Sequence, residues 1–198
     1  MAFFWIIGFP LFLFGTFLLY LGILLLFRRS KSSYQEETAF KRGVIFSPVN
    51  GKVKHILKNK NNDGLTEIKM IIHPWHETGI YLPISSEIQD FLLSGTKSLF
   101  RYSKKSLIDD HNELSKLSLI LRNVDSDLIR MDFIKCIVGS LPEIFVMPGD
   151  RGKQQANIGH FPLGGTLLLY LPDKYEILIN EFEQVVAGET LLAGANAM

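Results

Sequence analysis

With 198 residues, 47% of them hydrophobic, the chain can bury one sizeable core, and its length favours one globular domain plus whatever the N-terminus adds. Lys and Arg number 21 against 20 Asp and Glu, a net charge of +1 that leaves no global basic footprint for nucleic acid. The single cysteine, Cys136, excludes an intrachain disulfide framework and a thiolate metal cluster built from one chain; its setting, MDFIKCIVG, reads as a buried, inert thiol.

Residues 2–27, AFFWIIGFPLFLFGTFLLYLGILLLF, carry no charged side chain, and a helix of that length exceeds the roughly 30 Å hydrocarbon core of a bilayer. One crossing is expected, with Gly8 and Pro10 able to kink its first third. Arg28, Arg29 and Lys31 follow at once and no cation precedes, so the positive-inside rule puts the rest of the chain in the cytoplasm. A cleaved signal peptide would want a basic start, a shorter apolar stretch and a small-residue cleavage site. Trp5 and Tyr20 are candidate interfacial anchors, with plain packing an equal alternative for Tyr20. The expected organisation is a transmembrane anchor over 1–29, a juxtamembrane linker over 30–43, and a domain over 44–198. The linker's cations either rest on anionic head groups or are simply solvated.

From Val44 onward, short apolar runs broken by turn residues predict a mostly β domain. GVIFSPV and GKVKHIL flank Asn50-Gly51, a strong hairpin dipeptide. Asp63-Gly64 turns into EIKMII, and further strands are expected in GIYLPI, SLILRN, IRMDFIKCIVG, IFVMPGD, GTLLLYLP, YEILI and TLLAG. YSKKSLIDDHNELSKLSL has a poor apolar stripe and reads as an irregular excursion with at most one helical turn. Pro162 and Pro172 bracket GTLLLYLP, which limits that strand at both ends or puts it at a sheet edge.

Three constellations bear on chemistry. HPWHE, residues 73–77, offers two imidazoles and a carboxylate, but Pro74 and the spacing argue against a helical zinc motif, and a packed turn is the preferred reading. MPGDRGK, 147–153, is too short and wrongly spaced for a phosphate-binding loop and reads as a surface turn, with lipid head groups as an option for Arg151 and Lys153. SPVNGKV, 47–53, and EQVVAGETLLA, 183–193, form a pairing seen in barrel-sandwich carriers of lipoyl or biotinyl groups. Lys52, however, lacks the methionine that normally adjoins the modified lysine.

The order of SPVNGKV, IIHPWHETGIYLPISSEI, MDFIKCIVGSLPEIFVMPGD with IGHFPLGGTLLLYLP, and VVAGETLLA resembles the phosphatidylserine decarboxylase family, particularly its short membrane-anchored members, over most of residues 28–193. The resemblance implies a barrel-sandwich-like β fold. It also implies self-cleavage in which a serine after a glycine attacks the preceding carbonyl and leaves a pyruvoyl group as electron sink. Gly164 takes the glycine's position and Gly165 the serine's, so the attacking hydroxyl is missing and no pyruvoyl cofactor is expected. Asn50 stands where the family has an aspartate, and an amide is a poor substitute for a carboxylate base. Counting back from Pro83, the family's histidine positions fall on Thr78 and Tyr81. His76 regains one of them if Gly79-Ile80 is an insertion. Thr166 carries a hydroxyl that, by attacking the Gly165 carbonyl, would give an α-ketobutyryl group, with β-branching against it.

The family-site positions are thus Asn50, His76, Tyr81, Gly164, Gly165 and Thr166, with no metal site. The leading expectation is a single-pass membrane protein of phospholipid metabolism that does not process itself. Its expected partners are membrane lipid, with phosphatidylserine as candidate, no nucleic acid, and an oligomer left open. Two alternatives stand beside it: an active decarboxylase forming phosphatidylethanolamine through Thr166, and a barrel-sandwich adaptor without a lipid role.

Overall fold

The computed structural model describes residues 2–26, 43–58, 64–95, 115–136 and 139–195. The basic cluster at 28–31, the linker up to residue 42, the Asp63 half of the Asp63-Gly64 turn and residues 102–114 of the excursion over 102–119 lie outside the described residues.

Helix α1, Ala2–Leu26, is 25 residues long and contains Pro10. At ~1.5 Å per residue its backbone runs about 37 Å. Its described side chains face outward on every side: Phe12, Phe14, Phe17, Leu19 and Tyr20 are each at least 59% exposed. Thr16 donates its hydroxyl to the Leu13 carbonyl at 2.9 Å and so adds no unsatisfied polar group to that surface. Among the described residues no helix is long and apolar enough to cross a membrane.

The rest of the described chain is β-structure. The strands are β1 Val44–Phe46, β2 Gly51–Leu57, β3 Leu65–Ile72, β4 Gly79–Tyr81, β5 Ser86–Ser94, β6 Lys116–Asn123, β7 Leu128–Lys135, β8 Glu143–Ile144, β9 Arg151–Gly152, β10 Asn157–His160, β11 Gly165–Pro172, β12 Tyr175–Ile177, β13 Gln184–Val185 and β14 Leu191–Ala195. An eight-stranded sheet runs β13-β2-β3-β11-β7-β6-β5-β9, and two three-stranded sheets run β1-β14-β12 and β4-β10-β8. Every pairing is antiparallel. The mostly β expectation holds, but the described strands close no barrel: the large sheet ends at two short strands, β13 and β9, that pair on one side only.

Strand β11 is the spine of the large sheet. It pairs with β3 from Gly165↔Ile72 to Pro172↔Leu65 and with β7 from Gly165↔Lys135 to Tyr170↔Arg130. It is therefore central, which removes the edge alternative, while the turn at Pro162 and its own Pro172 still bound it. Alternation sends Leu167, Leu169 and Leu171 into the main core with Ile68, Met70, Met131 and Phe133. The same core takes Ile45 from β1, Leu192 from β14, Ile80 from β4 and Ile158 from β10, so the small sheets share one apolar cluster with the large one. Leu168 and Tyr170 point the other way and pack with Ile134.

Two further expectations are corrected. Asn50-Gly51 does not join a hairpin, because β1 pairs with β14 and β2 pairs with β3 and β13. The backbone groups that a hairpin would need are committed elsewhere: Phe46 N–H donates to Pro83 O at 3.0 Å, Ser47 N–H to Thr190 O at 2.8 Å, and Pro48 O accepts from Tyr81 N–H at 2.8 Å. Strand β5 was not anticipated, since a register shift between Ile88 and Asp90 breaks its period of two.

Leu169 is fully buried at the middle of β11. Leu169→Ala is expected to destabilise the domain by about 2–5 kcal/mol, measured as a lowered urea midpoint at unchanged slope.

Candidate functional site

One end of the large sheet gathers the segments singled out above. Strand β2 begins there with Gly51, whose missing side chain lets the chain lie close on β3: a Cβ would stand 2.7 Å from the Ile71 carbonyl oxygen. The preceding residues are clamped by the segment from the far end of the sequence. Gly188 N–H donates to Ser47 O at 2.8 Å, and Ala187 N–H donates to Asn50 Oδ1 at 3.0 Å. SPVNG and VVAGET are thus one unit in space.

Strand β3 leaves the sheet into HPWHE, which is a packed turn. His76 N–H donates to His73 O at 3.0 Å, and His73 N–H donates to His76 Nδ1 at 3.3 Å. His73 stacks on Trp75 at 4.7 Å and meets His76 edge-on at 5.1 Å. An Nδ1 that accepts a hydrogen bond belongs to a neutral ring with its proton on Nε2. Burial accordingly lowers the His76 pKa below 6.5, opposed in part by a hydrogen bond to the Asn50 backbone.

Asn50 Nδ2 donates to Glu77 Oε2 at 3.2 Å. An aspartate at position 50 would set two carboxylates at that spacing, where like charges repel. The amide at 50 and the carboxylate at 77 are matched: acidic character absent from Asn50 is present next door, on the exit of β3.

The mouth of β11 completes the site. Gly164 N–H donates to Phe161 O at 3.2 Å, closing a turn with Pro162 and Leu163 at its centre. Leu163 has φ 58° and Gly164 φ 70°. The left-handed region strains a leucine, at about 1–3 kcal/mol. A Cβ on Gly164 would collide with the Ile72 carbonyl oxygen and stand 3.2 Å from the His73 carbonyl carbon, so Gly164 lies directly on the segment that carries His76. A Cβ on Gly165 would stand 2.5 Å from Ile134 O and 2.6 Å from the Phe161 ring. Phe161 is fully buried and packs edge-on against Phe133 at 5.7 Å.

Asn50, His76, Gly164 and Gly165 therefore meet around the exit of β3. Thr166 lies just inside β11, opposite Ile71 on one side and Ile134 on the other, with the Gly165–Thr166 peptide inside a ladder paired on both edges. Tyr81 lies on β4, its hydroxyl unpartnered and its ring packed over Gly79. Thr78, beside that strand, is buried and accepts from Phe161 N–H at 2.7 Å.

No motif in the sequence marks Phe161, and Glu77 enters only as the carboxylate of HPWHE, not as the partner of Asn50. The available signals were the four-residue separation of Phe161 and Gly165 across a proline turn, and an amide at 50 in a chain that offers a nearby carboxylate. Among the described residues no group of three His, Cys, Asp or Glu is placed to hold a metal ion. In MPGDRGK, Met147 N–H donates to Asp150 Oδ2 at 2.7 Å and Arg151 pairs with Glu87 at 2.9 Å, which is a surface turn. Lys52 sits within β2 between Gln184 and Ile71, not at a hairpin tip where a carrier lysine belongs. Cys136 is buried.

No family model matches this chain, and no curated protein matches it either.

Two outcomes follow from this geometry. Gly165→Ser should lower stability by about 1–3 kcal/mol through overpacking. In a Phe161→Leu background the same serine should cost less, with the Ile134 carbonyl keeping part of the penalty, a coupling read from a urea double-mutant cycle. His76 has a lowered pKa, so its native state favours the neutral ring. Its contribution is fully present above pH 6.5 and is lost as pH falls through the lower folded value. Melting temperatures at successive pH values below neutrality should fall more steeply for the wild type than for His76→Gln.

Proposed function

We propose that the chain is a membrane-anchored protein of the phosphatidylserine decarboxylase type that does not cut itself, and that it engages aminophospholipid without decarboxylating it. The observation that carries this reading is the space at Gly165, which is closed by the Phe161 ring and the Ile134 carbonyl. A serine side chain has no room there, and glycine has no hydroxyl with which to attack the Gly164 carbonyl.

Three further features support it. The segments that carry the family resemblance, SPVNG, HPWHE, the PLGGT turn and VVAGET, converge at one end of one sheet although they are spread from residue 47 to residue 190. Thr166 is a poor replacement nucleophile: the peptide it would attack lies in a ladder paired on both edges, which holds the carbonyl in place and resists the tetrahedral geometry of an acyl shift. In the sequence, the uncharged run of residues 2–27 followed by Arg28, Arg29 and Lys31 favours a single membrane pass with the β domain on the cytoplasmic side, although the described part of α1 is not by itself long and apolar enough to cross. A helix apolar on all faces otherwise exposes that surface to water.

Intact mass spectrometry of the purified full chain tests the central claim. One species at the 22.5 kDa of the uncut chain is expected. Two chains, the smaller with an α-ketobutyryl terminus at residue 166, would overturn it in favour of an active decarboxylase. Flotation with vesicles containing phosphatidylserine, against phosphatidylcholine alone, tests the lipid claim. Equal binding of the two would favour an adaptor without a lipid role.

A further inference from the structure

On the small sheet β4-β10-β8, which follows directly on the HPWHE turn, two buried polar atoms have no hydrogen-bond partner: Tyr81 Oη and His160 Nδ1. Register puts them on the same side of the sheet. His160 lies opposite Gly79 on β4 and opposite Glu143 on β8, and Tyr81 follows Gly79 by two residues, so all four positions share one face. The Tyr81 ring leans back along β4 into the space above Gly79, where a Cβ would come within 2.9 Å of the phenol oxygen. The phenol oxygen is thereby carried toward the position opposite His160, and no hydrogen bond joins the two groups. Directly opposite residues in an antiparallel pair have Cβ atoms about 5 Å apart, so the Gly79 position that the phenol oxygen overlies is the immediate cross-strand neighbour of His160.

The chemistry of that group follows from the ring. His160 Nε2 faces Glu143 Oε2 at 3.5 Å. In the neutral ring with its proton on that side, Nδ1 offers a lone pair. Tyr81 Oη offers a proton. The group that satisfies both must donate to the one and accept from the other, which a hydroxyl does and a carboxylate, ether or ammonium does not. Tyr81 is 3% exposed, whereas Phe145, whose ring lies 5.6 Å from the His160 imidazole, is 58% exposed and sets an apolar surface beside that imidazole. Met147, two residues on, is exposed as well.

We propose that Tyr81 and His160 form a binding site for an alcohol: a hydroxyl held between Tyr81 Oη and His160 Nδ1, on a short apolar stem lying along Phe145. Tyr81 is also one of the family-site positions, but the alcohol site uses only its unpartnered hydroxyl and does not rest on the decarboxylase-type reading.

The test is NMR titration of the full chain with 1-butanol, reading the His160 imidazole and Tyr81 ring resonances, with methyl propyl ether as the probe that lacks a donor. Saturable shifts with 1-butanol are expected, with affinity about tenfold weaker for the ether and for Tyr81→Phe, the value of roughly one hydrogen bond. Tyr81→Phe keeps the ring over Gly79, and its melting temperature should equal or exceed the wild type's, since it removes a buried hydroxyl without a partner in the fold. Absence of saturable shifts, which leaves only solvent water at the site, overturns the proposal. So does an equal response from the ether or from Tyr81→Phe, or a lowered melting temperature of that variant.

Discussion

Crowding at the mouth of β11 is the constraint on which the site depends. Three backbone segments converge there: the exit of β3 at Ile72–His73, the end of β7 at Ile134, and the turn that brings Phe161 back over the strand it introduces. Two consecutive residues without side chains are needed because each faces a different obstacle, the Ile72 carbonyl at Gly164 and the Phe161 ring at Gly165. A pair of glycines ahead of an apolar strand looks wasteful in sequence; in space it is what permits the central strand to enter its sheet beside its neighbours. Main-core burial of Leu167, Leu169 and Leu171 depends on that entry.

Around this junction the polar groups are arranged to hold positions more than to move protons. Asn50 spends its carbonyl on Ala187 and an amide proton on Glu77, and His76 spends Nδ1 on the backbone of His73. A histidine whose pKa is lowered by burial, with its Nδ1 lone pair engaged by a backbone N–H, takes up a proton less readily than a free imidazole. The strained Leu163 is maintained because the turn is fixed from both ends, by its own hydrogen bond to Phe161 and by the packing of Gly164 on β3. Geometry typical of a reactive loop therefore coexists here with side chains that are mutually satisfied.

The sequence made the elements more legible than their partners. β2 and β11 follow from period and composition alone, and β11 carries the most apolar run of the domain. Asn50-Gly51 misled because a turn dipeptide specifies local backbone and not which strands flank it; the distant VVAGET segment takes up hydrogen bonds that a hairpin would use. β5 stayed hidden because one shifted residue flips its alternation part-way along. β9, β10 and β13 are two to four residues long and exist only by virtue of what they pair with. Among site positions, the neighbourhood of Asn50, His76 and the two glycines was readable from motif order. The Glu77 contact and the Phe161 obstruction were not, since both are consequences of folding distant turns onto one another.

The Phe161–Gly165 contact also has a direction in time. A glycine can gain a side chain by a single change only while the space beside it stays open. With a phenyl ring settled there as part of the core against Phe133, any larger residue at position 165 passes through an overpacked intermediate unless the ring shrinks first, and shrinking it removes buried surface. The ring thus works as a ratchet, holding position 165 at glycine against ordinary single-step variation.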